Sequence, residues 1–342
     1  MAHRRATRVG VLAAAALALT SLATAPSAYA DGHDHGRKDT FAVIGDIPYG
    51  ADEIASFPTN IAQINADPKV SLVVHLGDIK NGSSACSDEY FSMIRKDFDR
   101  FRDPLVYTIG DNEWTDCHRP NNGAYNPLER LDAVRSTFFD RPGLTLGRRP
   151  LRVRSDVAAG FPENVSWTRD HVAFTSVHIV GSNNGLEPWT GSTTPTPEQS
   201  AEVLGRTADT IGKIRATFAQ AKARNDRAVV IMTQADMFDP TVPDRELADY
   251  FAFQPIVAAI AQESAAYGRP VYLFNGDSHI YNSDQPLGPG SEWLDFYDVD
   301  EAAPNLTRVT VDGSDNAKDY LRVTITKNRA APLTWTRIPF TA

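Results

Sequence analysis

Four apolar runs in this chain end in the same dipeptide. Phe41-Ala42-Val43-Ile44, Val73-Val74-His75-Leu76, Leu105-Val106-Tyr107-Thr108-Ile109 and Val271-Tyr272-Leu273-Phe274-Asn275 lead into Gly45-Asp46, Gly77-Asp78, Gly110-Asp111 and Gly276-Asp277. Short apolar runs closed by a turn signal predict strands buried inside a sheet. Glycine lets the backbone turn sharply at the tip, and the aspartate then projects from the strand end. One Gly-Asp is a turn and no more. Four of them constrain the whole fold. Strands lying side by side would bring four carboxylates to one sheet edge, where their repulsion is costly without a cation. The pattern predicts a metal site at the strand ends of an α/β sheet, where such sheets carry their chemistry.

The segments between these runs have helical spacing. Residues 51–66 place Ile54, Phe57, Ile61 and Ile64 on one face, and 88–101 and 127–139 read the same way. Strand, helix and strand in alternation predict parallel α/β units. Further on, 166–180 predicts two antiparallel strands turning at Asp170, with His178 as a core histidine. Residues 196–223 predict a long helix burying Leu204, Ile211, Ile214 and Phe218, 228–233 a strand, and 245–267 a helix. Runs 306–311, 320–326 and 333–338 alternate apolar and polar residues, as half-exposed antiparallel strands do. The polar loop 112–126 and the turn 181–185 follow strand ends and are expected to line the site.

Arg4, Arg5 and Arg8 precede an Ala-rich apolar stretch at 9–22 and Ala28-Tyr29-Ala30. This is the pattern of a secretory signal peptide over 1–30, cleaved near Ala30. The apolar stretch is too short for a membrane span, and no other run is long enough to be a transmembrane segment. Residues 31–39 are expected to be a polar, disordered N-terminus. The whole chain carries 34 basic and 43 acidic residues, and removing the arginines of the leader makes the balance more acidic still. That argues against a general nucleic-acid-binding surface, which needs positive charge against phosphates. The two cysteines, Cys86 and Cys117, follow Asp78 and Asp111. In a secreted chain they predict a disulfide tying two site loops, with free thiols or soft metal ligands as the alternatives; they lack zinc-motif spacing.

Taken in order, Gly45-Asp46-Ile47-Pro48, Gly77-Asp78-Ile79-Lys80-Asn81, Gly110-Asp111-Asn112-Glu113, Gln234 and Gly276-Asp277-Ser278-His279 resemble the ligand blocks of the calcineurin-like metallophosphoesterases, which include purple acid phosphatases. The family pattern is Asp-x-His, Gly-Asp-x-x-Asp/Asn, Gly-Asn-His-Asp/Glu, a lone His, and Gly-His-x-His. The resemblance runs from residue 41 to 279. It implies one domain over 40–342 with an α/β fold of two facing mixed β-sheets flanked by helices, a four-layer αββα sandwich. It implies an exported metal-dependent phosphoesterase, in which a metal-bound hydroxide attacks a phosphomonoester or phosphodiester, small or polymeric. The alternative it leaves is a non-catalytic binding protein of the same fold. No Gly-x-Ser-x-Gly elbow favours a serine esterase.

By the same resemblance Asp78 would bridge two ions. Asp46 and His279 would complete one site, and Asp111, Gln234 and Asp277 the other. The chain departs from the pattern at several of these positions. Pro48 stands for a histidine ligand, Asn81 for the tyrosine of the purple enzymes, and Asp111 for an asparagine. Gln234 and Asp277 replace histidines. Oxygen donors favour Mn²⁺, Mg²⁺ or Ca²⁺ over Zn²⁺ or iron, as one or two ions. Asn112 replaces the family's histidine acid and cannot supply the proton a leaving alkoxide needs. His118 in the same loop is the candidate for that part, and Glu113 for orienting Asn112 or a ligand. Tyr49, Lys80, Asn81 and Trp114 are candidate substrate contacts or pocket walls.

Overall fold

The computed structural model describes residues 39–341. The signal peptide expected at 1–30 and nearly all of the 31–39 segment lie outside the described residues. In chain order come β1 (Thr40–Ile44), α1 (Gly50–Ala66), β2 (Val70–His75), α2 (Asp88–Phe98), β3 (Leu105–Tyr107) and α3 (Pro127–Phe138). Then follow β4 (Arg154–Asp156), β5 (Phe161–Arg169), β6 (Val172–Ser176), a single turn α4 (Gly181–Gly185), α5 (Pro197–Arg224), β7 (Ala228–Met232) and α6 (Gln254–Tyr267). The chain ends with β8 (Val271–Asn275), β9 (Asn282–Asp284), α7 (Glu292–Phe296), β10 (Leu306–Thr310), β11 (Asp319–Ile325) and β12 (Leu333–Pro339).

The strands form two mixed sheets, of order β12-β11-β1-β2-β3 and β4-β5-β6-β7-β8-β10-β9. In the first, β1, β2 and β3 are parallel, and β11 runs antiparallel to both β1 and β12. In the second, β6, β7, β8 and β10 are parallel, with antiparallel partners outside them. Alternation along each strand builds the layers. Phe41, Val43 and Val74 of one sheet meet Phe174, Val230 and Phe274 of the other. The intervening Ala42 and Ile44 face the opposite way, onto Phe57, Ile61 and Phe98 of α1 and α2. On the far side Ile231 and Leu273 pack against Ile214 and Phe218 of α5 and Ile256 and Ile260 of α6. The result is two facing sheets between helical layers, as expected.

Three expectations need correction. The helix expected over 245–267 begins only at Gln254, after two 3₁₀ turns at Leu247–Asp249 and Phe251–Phe253. Pro255 sits in its first turn, where a missing N–H costs nothing. Leu204 is 74% exposed, and α5 instead buries Val203, Arg206, Lys213, Ile214 and Phe218. Two charged side chains lie on the buried face, so hydrophobic spacing alone misplaces it. Finally, β10 is not a half-exposed antiparallel strand with the other tail strands. It joins the second sheet parallel to β8, and Leu306, Arg308, Val309 and Thr310 are buried.

Cys86 and Cys117 are disulfide-bonded, with Cα atoms 5.9 Å apart. The bridge spans a sequence separation of 31 residues and ties the loop after β2 to the loop after β3. Backbone bonds from Cys86 N to Asn122 O and from Tyr125 N to Cys117 O hold the same region. Removing the bridge in a Cys86→Ser/Cys117→Ser double variant is therefore expected to cost about 2 kcal/mol, the lower part of the usual range. Urea unfolding midpoints of the two proteins measure it. An unchanged midpoint would mean that the loops are held without the bridge.

Candidate metal centre

The four Gly-Asp tips do not lie side by side in one sheet, as the sequence pattern suggested. Asp46, Asp78 and Asp111 follow β1, β2 and β3 of the first sheet; Asp277 follows β8 of the second. The carboxylates converge across the gap between sheet edges. Asp46, Asp78, Asp277 and His279 have φ of 54°, 54°, 72° and 61°, in the left-handed region that aspartate tolerates better than most residues. Backbone bonds lock the tips together: Asp46 N donates to Gly77 O at 3.0 Å, and Gly276 N donates to Gln234 O at 3.0 Å. Asp277 N donates to Asp46 Oδ1, also at 3.0 Å.

Two groups could hold a metal ion, and Asp78 belongs to both. Asp46, Asp78 and His279 form one; Asp78, Asp111 and Asp277 form the other; within each, the ligand atoms lie within 4.8 Å of one another. Burial raises the carboxyl pKa of Asp46, and burial with neighbouring carboxylates raises Asp78 and Asp277 well above their usual range. A cation is the ordinary relief for such crowding. In the first group Asp46 Oδ2 is buried with no hydrogen-bond partner, an acceptor that a cation would satisfy. His279 Nε2 lies 3.4 Å from Asp46 Oδ1. These residues fit a divalent ion.

The second group is different. Gln234 Oε1 accepts from Gly181 N at 2.8 Å. That backbone donor identifies the oxygen end of the amide. Nε2 therefore points into the carboxylates, 3.0 Å from Asp111 Oδ1, 3.0 Å from Asp277 Oδ1 and 3.3 Å from Asp78 Oδ2. Gln234, expected as an oxygen ligand, is here a hydrogen-bond donor.

Around Asp78 the other expected residues fall into place or out of it. Tyr49 Oη donates to Asp78 Oδ2 at 2.9 Å and accepts from Asn112 Nδ2 at 2.9 Å. Asn112 also gives Nδ2 to Asp78 Oδ2 at 2.7 Å and its backbone N–H to Oδ1 at 3.1 Å. It is a clamp on this carboxylate. Glu113 lies beneath, fully buried. Its Oε1 accepts from Asp78 N, Gly110 N and Tyr107 Oη at 3.1, 2.8 and 2.7 Å. It braces the two loops rather than touching Asn112's side chain.

Four further expected residues make other contacts. Lys80 is buried, and its Nζ donates to Asn81 O and Asn112 O at 2.8 Å each; burial lowers the amine to about 8. Asn81 Oδ1 accepts from Ser83 N and Ser83 Oγ of its own loop. Trp114 is buried edge-on to His178, beneath the Arg206 guanidinium. His118 sits in a 3₁₀ turn, and its Nδ1 accepts from Thr190 N at 2.8 Å. Among the described residues, no bond joins it to the carboxylates.

The turn 181–185 lines the site, as expected: Ser182 Oγ lies 3.1 Å from Asp111 Oδ2 and 3.0 Å from Asp116 Oδ1. It sits in α4, whose Ser182, Asn183 and Asn184 are all left-handed. That conformation costs an L-residue roughly 1–2 kcal/mol each. Arg206 offsets it by bonding Asn184 O and Oδ1, and Asn183 by bonding Ala248 O and Ala252 N. On the other side Asp236 N donates to Asp277 Oδ2 at 3.0 Å. Asp236 is in turn paired with the fully buried Arg308 at 2.5 Å. Asp236 and Arg308 were not singled out from the sequence, and nothing local marks them, because each acts through a partner far away in the chain.

Residues 40–202 match the family described as calcineurin-like phosphoesterase. No curated protein matches the chain in sequence. Among solved structures it is similar to GAP50, the anchor in the inner membrane complex of Plasmodium, at 6% identity, 90% coverage of both chains and a TM-score of 0.45. It is also similar to purple acid phosphatase PPD1 from yellow lupin (Lupinus luteus) seeds, at 12% identity and a TM-score of 0.47, covering 87% of this chain and 51% of that one. The NAD nucleotidase of Haemophilus influenzae gives 11% identity and a TM-score of 0.42, with 88% and 54% covered. The chain spans about half the length of these last two proteins.

Proposed function

With residues 40–202 matching the calcineurin-like phosphoesterase family as the premise, we propose that the chain is an exported, metal-dependent phosphoesterase. Asp46, Asp78 and His279 would hold a divalent ion. The observation that carries the reading is the buried, unpartnered Oδ2 of Asp46 within that group. Two carboxylates and one imidazole suit Mn²⁺ or Mg²⁺ better than a thiolate-seeking metal. When bound, such an ion lowers the pKa of a coordinated water and screens phosphate oxygens. The chain's own residues do the positioning. Asn112 and Tyr49 orient the Asp78 carboxylate, and Glu113 fixes its backbone. Burial raises the Tyr49 phenol well above its usual range, so it stays protonated as a donor.

Asn112 in place of an acid, and His118 bound elsewhere, leave the leaving group without a strong proton donor. The substrates this favours are phosphoesters whose leaving group departs as a stable anion, such as aryl esters. The predicted signal peptide and the disulfide support export. No helix among the described residues is long and apolar enough to cross a membrane.

A second reading, a non-catalytic binding protein of this fold, has its own observation. Asp78 Oδ2 already accepts from Tyr49, Asn112 and Gln234, so part of its capacity is taken up. Elemental analysis and hydrolysis of p-nitrophenyl phosphate with Mn²⁺, Mg²⁺ and Ca²⁺ separate the readings. Bound metal and turnover are expected, both lost in Asp78→Asn. Metal without turnover of mono- or diesters favours the binding protein. No metal after reconstitution would remove the phosphoesterase reading altogether.

A further inference from the structure

We infer that the amide of Gln234 stands in for a second cation, so that this centre holds one metal ion at Asp46, Asp78 and His279, while the Asp78–Asp111–Asp277 group is closed. The inference rests on the metal-centre reading above and adds the number of ions and the residue that sets it.

The direction of the amide, and its inability to turn, decide the number of ions. Its oxygen is held by Gly181 N at 2.8 Å. Rotating the amide would leave that buried N–H without an acceptor. An unsatisfied buried donor is strongly disfavoured.

Gly181 itself cannot follow a rotated side chain. It opens the left-handed turn α4, pinned by Ser182 to Asp111 and Asp116, by Asn183 to Ala248 and Ala252, and by Asn184 to Arg206. A Cβ on Gly181 would stand 2.7 Å from Asp111 Oδ2 and 3.0 Å from Asp277 Oδ1, so the turn already presses against the carboxylates.

Nor can Gln234 swing away. It is fully buried. Its Cβ and Cγ would lie 2.8 and 2.9 Å from a Cβ at Gly77, so its stem is wedged against the backbone that delivers Asp78. Nε2 thus lies over all three oxygens at 3.0, 3.0 and 3.3 Å. A Mg²⁺ or Ca²⁺ ion ligated by those oxygens from the same side, at about 2.0–2.6 Å from each, would have to displace it. An amide nitrogen offers hydrogens and no lone pair to a cation. The first group contrasts at Asp46. It holds an unpartnered acceptor, Asp46 Oδ2, and its only nitrogen is the His279 imidazole, itself a metal ligand by type.

The test is the Mn²⁺ stoichiometry of the full-length mature protein, by titration calorimetry and electron paramagnetic resonance. The wild type is expected to bind one ion with an uncoupled six-line spectrum. Gln234→Ala removes the amide and Gln234→His replaces it with a neutral ligand; either, where folded, is expected to bind two ions with an exchange-coupled spectrum. Two ions in the wild type would overturn the inference. So would a folded variant pair that both still bind one. No ion in any of the three proteins would instead overturn the metal-centre reading beneath it, a result distinct from either of the others.

Discussion

Alanine at position 110 is expected to cost the protein about 4 kcal/mol and to disorganise the centre, although it adds a single methyl group. The Cβ would stand 2.5 Å from Asp78 N and closer still to Asp78 Oδ1. The first of these neighbours is backbone, so no rotamer change relieves it. The two loops would have to part. Glu113 Oε1 bridges them through Gly110 N and Asp78 N, and parting them breaks at least one of those buried bonds. Overpacking of this kind costs about 1–3 kcal/mol, and a buried partner left unsatisfied about 1–3 kcal/mol more. The sum is a large share of a typical stability of roughly 5–15 kcal/mol. Gly212→Ala is the control. That glycine lies in α5, where an added Cβ would meet nothing within 4 Å, so alanine there is expected to stabilise by about 0.5–1 kcal/mol. Urea midpoints of opposite sign for the same chemical change would establish that close approach, not glycine content, governs position 110. A Gly110→Ala protein with an unchanged midpoint would show that the loops separate freely.

What could be read from the sequence was whatever is encoded locally. A strand closed by Gly-Asp is a statement about neighbouring residues, and all four tips were found where β1, β2, β3 and β8 end. The helices α1, α2 and α3 followed from apolar spacing for the same reason. The capping box of α5, Thr196 with Gln199, sits where the expected start lay. Long-range pairing was not legible. That Asp277 reaches the other aspartates from the facing sheet depends on β8 lying between β7 and β10, which no spacing reveals. Buried charge was not legible either. Lys80 and Arg206 look like solvated residues by type, and each is buried because carbonyls or side-chain oxygens complete its bonds. Gln234 shows the limit most clearly. Its place in the pattern could be read, but the direction of its amide is set by Gly181, 53 residues away.

Stability is expected to fall by about 3 kcal/mol between pH 6.5 and pH 4 on account of His75 alone. This histidine lies in β2, fully buried, its ring against Phe98 and Tyr107. Nε2 is 2.8 Å from the carbonyl of Ile47 and so carries the hydrogen; Nδ1 has no partner. A proton on Nδ1 would bury a charge with nothing to receive it, and burial lowers the pKa from 6.5 to about 4. The sign follows from which state binds the proton first. As pH falls through 6.5 the unfolded chain takes it up while the folded one does not, so unfolding is favoured. The contribution is whole above 6.5 and is lost progressively until the folded form also protonates near 4. At 1.36 kcal/mol per unit the loss is about 3 kcal/mol. The Asp46, Asp78 and Asp277 carboxyls, whose pKa values are raised by burial, contribute with the opposite sign, so the wild-type curve alone does not isolate the histidine. His75→Leu does. The centre and the buried His178–Glu163 pair are common to both proteins and cancel in the difference. Unfolding free energies of wild type and variant from pH 7.5 to 4 should therefore shift relative to one another by about 3 kcal/mol in favour of the variant. A constant difference would mean that the folded protein takes up the proton over the same pH range as the unfolded chain, and that the unpartnered Nδ1 finds an acceptor in solution.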